Sequence, residues 1–141
     1  MTTVPTGNVR GLARRCESVF VIAAMKNYQD LKIWQRSHAL TVALYQATKS
    51  FPKDELFALT NQMRRAAVSI PANIAEGCGR AGDAELRRFL VIALGSACEL
   101  DYYVMLAGDL GYLPEASRSP LASEIMEIRR MLGTFVQKLG A

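Results

Sequence analysis

The 141-residue chain has one histidine, one tryptophan and three cysteines, and each scarcity narrows what it can do. Cys16, Cys78 and Cys98 are odd in number and never fall at CxxC spacing, so neither a disulfide framework nor a zinc site is expected, and a reducing cytoplasm suits them best. His38 has no cysteine or carboxylate at a spacing that would build a triad. No window shows sustained strand alternation, so there is no strand from which a glycine-rich phosphate loop could spring. Glu99 and Asp101 are two residues apart and face different ways on a helix. Cys78, in "EGCGR", stands near Arg80, which could lower its pKa, but it has no partner base. An enzyme is therefore not expected, and neither is a cofactor or a metal.

A strong excess of either charge is also missing. Seventeen basic residues face 13 acidic ones, a net +4. Part of that excess sits in residues 1–25, as Arg10, Arg14 and Arg15 against Glu17. This mild bias permits contact with RNA or DNA without announcing it. The same segment runs from arginines into a short apolar stretch, Val19 to Met25, shaped faintly like a signal peptide but of minimal length and without a clean A-x-A site. We expect residues 1–25 to be a disordered or extraneous extension, with Met25 as an alternative start and residues 26–141 as the folded domain.

What is present is helical periodicity. Apolar residues recur at steps of three and four, the signature of helices that each bury one stripe. The first stripe is Ile33, Leu40, Leu44, Ala47 and Phe51; the second is Leu56, Leu59, Met63, Ala66, Ile70 and Ile74. The third runs Leu86, Leu90, Ala93, Ala97, Leu100, Val104 and Ala107, and the fourth Leu121, Ile125, Ile128, Leu132, Phe135 and Leu139. Loops at "SFPKDE", "GCGRAGD" and "GYLPEASRSP" separate them. Gly111 is placed to end a helix in the left-handed conformation, while Asp83 and Ser119 can cap helix starts, Ser119 with Pro120 at the first helical position. Short loops make neighbours antiparallel, so the expected fold is all-α, an up-down-up-down four-helix bundle.

Two helices have more apolar surface than one bundle can cover. Opposite its core stripe the second carries Asn61, Arg65, Val68, Ala72 and Ala75, and the third is apolar nearly all round from Phe89 to Ala107, its outward line including Val91, Gly95, Cys98 and Tyr102. That third segment is long enough to span a membrane, but Glu99 and Asp101 near its middle would each cost roughly 2.5 to 3.5 kcal/mol on insertion scales. We read no membrane partner. Burial against another subunit is the expectation, with small residues allowing close approach; an alanine-rich core with some tolerated surface apolarity is the blander alternative.

The segments "YQDLKIWQRSHAL", "YQATKSFPKDELFALTNQMRRAAVSIPANIAEGCGR" and "RRFLVIALGSACELDYYVMLAGDLGYL" resemble, in order and spacing, the bacterial four-helix bundle proteins first known as 23S rRNA intervening-sequence proteins. The resemblance implies a ring-like homopentamer and no established enzymatic activity. It extends to the accessory proteins of diversity-generating retroelements, basic pentamers that bind nucleic acid and a reverse transcriptase. The motif residues that carry over are Arg64, Arg65, Pro71, Asn73, Glu76, Gly77, Gly95, Ser96 and Glu99.

Three expectations attach to particular residues. Pro71 removes the donor to the Ala67 carbonyl and should kink the second helix, either to bend it around its neighbours or to expose carbonyls to a ligand. Arg64, Arg65, Glu76 and Glu99 are candidates for buried ion pairs or subunit contacts, with convergence of the arginines on a phosphate-bearing partner as the sharper reading. Arg80, Arg87 and Arg88, at the junction of the second and third helices, are the preferred place for nucleic-acid contact. The competing function is a structural or protein-interaction scaffold whose partner is another protein.

Overall fold

The computed structural model describes residues 27–140, so the expectations for residues 1–25 lie outside the described residues. A 3-10 turn at Tyr28–Asp30 leads into helix α1 (Lys32–Thr48); a second turn at Lys53–Glu55 precedes α2 (Leu59–Cys78), and α3 (Asp83–Asp109) and α4 (Glu115–Leu139) follow. No strand occurs among the described residues. Each helix packs on its sequence neighbours and α1 closes against α4, which is the up-down-up-down bundle the stripes predict.

The core is built from those stripes. Leu44, Met63, Ile70, Ile74, Leu100, Ile125, Ile128 and Leu132 are completely buried. In α1 the stripe is completed by polar residues: Ser37 and Thr48 are buried, their hydroxyls donating to the carbonyls of Ile33 (2.7 Å) and Leu44 (2.9 Å). On α4, Val136 is buried whereas Phe135 and Leu139 are only partly covered.

The helix ends differ from expectation at three points. Leu56 is exposed and lies before α2, because Glu55 Oε2 accepts the Leu59 N–H (3.1 Å) and starts the helix there. Asp83 is the first residue of α3, and the cap position belongs to Gly82 at φ 90°. Helix α4 starts at Glu115 after an extended Pro114, which puts Ser119 and Pro120 inside the helix. The carbonyl that Pro120 leaves without a partner belongs to the exposed Ala116, where water can serve it. Gly111, at φ 79°, does end α3: the Tyr112 N–H reaches the Ala107 carbonyl (2.9 Å) and the Gly111 N–H that of Gly108 (3.0 Å), a Schellman arrangement.

Helix α2 runs unbroken from Leu59 to Cys78 with a buried Pro71 inside it. The Thr41 hydroxyl of α1 lies 3.1 Å from the Ala67 carbonyl and 2.8 Å from that of Ser37, so one side chain reaches the acceptor that Pro71 orphans. That carbonyl is therefore engaged inside the bundle.

Candidate functional site

Two surfaces on the α2 side of the bundle carry the residues singled out by sequence. The first is the crossing of α2 and α3. Gly77 lets the helices meet closely, since a Cβ there would stand 2.9 Å from Phe89 Cβ. Farther along, the Ser69 and Ser96 hydroxyls are 2.8 Å apart, and Asn73 Nδ2 donates to Ser69 Oγ (2.9 Å) and to the Ser69 carbonyl (2.7 Å). This polar knot is flanked outwardly by Val68, Ala72, Val91, Ile92, Gly95 and Tyr102, all exposed. A Cβ on Gly95 would meet nothing within 4 Å. Nothing among the described residues therefore demands glycine at that position.

The second surface is an open groove of about 590 Å³ between the end of α1 and the start of α2, lined by Tyr45, Leu56, Phe57, Asn61, Arg64, Arg65, Val68 and Ser69. Its edge is held firmly. Glu55 caps α2 with one carboxylate oxygen and accepts the Tyr112 hydroxyl (3.2 Å) with the other, fixing the turn that leaves Phe57 90% exposed. Burial and the Glu55 contact push the Tyr112 hydroxyl upward in pKa. Arg64 stacks on the Tyr45 ring (4.8 Å) and donates from Nε to Thr48 Oγ1 (3.0 Å).

Within the chain, Arg64, Glu76 and Glu99 find partners other than one another. Glu76 pairs with Arg80 (2.9 Å), and Glu99 accepts the Tyr103 hydroxyl (2.6 Å), which holds that phenol above its ordinary pKa. Eleven residues along one helix is about 16 Å, too far for Arg65 and Glu76 to touch within a chain. Among the described residues, no carboxylate is within salt-bridge distance of Arg64, Arg65 or Arg87.

Arg80 and Arg88 do converge, their guanidinium groups 5.2 and 4.5 Å from the centre of the Phe89 ring. Each also has a carboxylate, Glu76 for Arg80 and Glu85 for Arg88 (3.2 Å). Arg87 instead lies against the end of α4, its Nε 2.9 Å from where a Cβ on Gly140 would stand. The trio is one basic pair, largely neutralised, and one separate arginine.

The remaining chemistry is quiet. Burial pushes the Cys78 thiol up to about 11, against the expectation that Arg80 would lower it; Arg80 is turned toward Glu76 and Phe89. His38 stacks on Trp34 at 5.0 Å, and Asp101 pairs with Arg129 (3.1 Å). Among the described residues no group of three or more His, Cys, Asp or Glu side chains could hold a metal. By length and composition alone α3 could cross a membrane. Sequence reasoning missed Thr41, Tyr45 and Phe57; the one available signal was an aromatic at position 57, off the apolar stripe and just ahead of a helix start.

Four antiparallel helices, with a buried proline carried through the second, define the class as an all-α four-helix bundle. Residues 29–134 match the 23S rRNA-intervening sequence protein family, and the chain belongs to it. A protein of unknown function from the S23 ribosomal protein family of Bacteroides thetaiotaomicron, whose crystal structure was determined at 1.70 Å, is similar in fold, with a TM-score of 0.68 at 23% identity, covering 74% of this chain and 98% of that one. No curated protein matches the chain.

Proposed function

We propose that the chain is a non-enzymatic subunit of a ring-like homo-oligomer, a pentamer by family resemblance, that works by binding. The observation that carries this reading is the outward face of α2 and α3, where Val68, Ala72, Val91, Ile92 and Tyr102 are exposed along the two helices together with a glycine that no contact among the described residues requires. Large apolar side chains left exposed along a pair of packed helices mark an interaction site. Helix α3 is then a bundle helix covered on its second side by protein, and the setting is cytoplasmic with no membrane partner. Light scattering tests the assembly: a mass several times the monomer's 15.5 kDa is expected at micromolar concentration, and a monomer would refute the reading.

Binding to RNA or DNA is the second reading. It is favoured by the Arg80–Arg88 pair on Phe89 and by Arg87, which has no carboxylate within salt-bridge distance among the described residues and which a ring would repeat. Because Glu76 and Glu85 offset two of the three charges, a protein-binding scaffold remains the competing role. A gel shift at low salt that fades steeply with added salt, and is lost when Arg80, Arg87 and Arg88 become glutamate, is expected if nucleic acid is bound. No shift at low salt leaves the scaffold role.

A further inference from the structure

The groove beside Phe57 has a charge character that specifies its occupant. Among the described residues its lining includes two arginines, Arg64 and Arg65, and no carboxylate, amid apolar surface. An occupant must therefore present an acid set among apolar side chains. The bundle displays such a surface on α3. Ile92, Gly95, Glu99 and Tyr102 are all exposed and, at steps of three and four, form one ridge with a single acid near its middle. The Glu99 carboxylate is oriented by Tyr103, and Tyr102 is 54% exposed beside it.

Groove and ridge belong to one face of one chain but do not satisfy each other. Ser69 faces Ser96 across antiparallel helices, so Arg65 and Glu99 stand at about the same level, and no salt bridge joins them. We propose that the Arg64–Arg65 groove receives the Glu99 ridge of a second copy of this chain, with Glu99 meeting Arg65 and Tyr102 packing on the apolar wall that includes Phe57. The contact is head-to-tail, since the two halves are different surfaces, and contacts of that type generate rings when the rotation closes. Tyr, Phe and Arg at a groove are also the residue types that anchor interfaces. This inference rests on the proposed self-association and adds which surfaces meet.

Charge reversal of the full chain tests it. Arg65→Glu and Glu99→Arg are each expected to raise the concentration at half-assembly by about tenfold or more, because like charges are then juxtaposed across the contact. Both sites are exposed, and circular dichroism should report an unchanged helical content. Mixing the two variants is the sharper arm: groove and ridge are then opposite in charge at every junction between unlike subunits, up to four of the five in a pentameric ring, so light scattering should show larger assemblies in the mixture than in either preparation alone. Pairing within a chain could not produce that gain. If the parent chain assembles and both single variants assemble equally well, the head-to-tail pairing is overturned while self-association stands; a mixture that assembles no further than either variant alone overturns it as well. A monomeric parent chain would refute both.

Discussion

The two sides of the bundle are finished in different ways. Where α1 meets α4, Arg36 grips Glu124 with two N–H donors at 2.8 Å each and reaches Glu127 at 3.8 Å, while Arg130 also holds Glu127. The Glu124 contact pushes the Arg36 guanidinium pKa above its ordinary value. This is a seam dressed in charge, as water-facing helices usually are. Where α2 meets α3, the means are a close approach at Gly77, a serine pair, and exposed valine, isoleucine and tyrosine outside. Both seams close the same core, so the contrast belongs to their outer surfaces. The proposed assembly would account for this contrast, since it sets the charged seam in water and covers the other with a second copy.

Enlarging Gly77 is the change with the largest expected effect. The Cβ of Gly77→Val would fall 2.9 Å from Phe89 Cβ and 3.1 Å from Leu86 Cδ1, so α2 and α3 must separate. Overpacking of this kind costs about 1–3 kcal/mol, visible as a lower midpoint in urea unfolding. An unchanged midpoint would mean that the crossing is slack and that the contrast between the seams is only one of composition. Next comes Thr41→Val, which keeps the shape but withdraws the hydroxyl from the Ala67 carbonyl that Pro71 leaves free. A loss of about 1–2 kcal/mol is expected, as for an orphaned buried acceptor. A Pro71→Ala background supplies the helical donor and should make the same substitution nearly neutral.

The sequence carried the fold because every helix repeats its apolar period over four or more turns, and the third stripe from Leu86 to Ala107 is buried at each position. Helix starts were less legible, since they depend on long side chains reaching over several residues: Glu55 caps α2 from four residues away, and this decides whether Leu56 is core or surface. The candidate charges were hardest. Arg80, Arg64 and Glu99 each had a nearer partner in Glu76, Tyr45 and Tyr103, and one-dimensional spacing cannot rank an aromatic face against a carboxylate. The answer to Pro71 lay on another helix altogether, in Thr41.

A pair of glycines sharpens the contrast at smaller amplitude. Gly95 on α3 and Gly133 on α4 are both mid-helix, and a Cβ on either would meet nothing within 4 Å. Replacing each with alanine should therefore add about 0.5–1 kcal/mol to the stability of a lone subunit through helix propensity. If the α2–α3 face is covered by a second copy and the α4 surface is not, Gly95→Ala should weaken assembly while Gly133→Ala leaves it unchanged. Equal behaviour in light scattering would remove the asymmetry between the two sides.

The smallest expected effect is on the charged seam. Arg36 and Glu124 are each about one-third exposed, so Arg36→Gln should cost no more than about 1 kcal/mol, and less in concentrated salt, where such pairs are screened. Its pH dependence has a fixed sign. Arg130, with help from Arg36, holds the Glu127 carboxyl below the usual glutamate range, as Arg118 does for Glu115. A carboxyl with a depressed folded pKa contributes stability that is fully present above its unfolded pKa and is lost as pH falls through the folded one. Unfolding midpoints should therefore be flat from neutrality down to about pH 5 and decline below that, with a shallower decline in Arg130→Gln. If Arg36→Gln instead dissociates the oligomer, the α1–α4 seam is itself a subunit contact, and the assignment of the two sides must be exchanged.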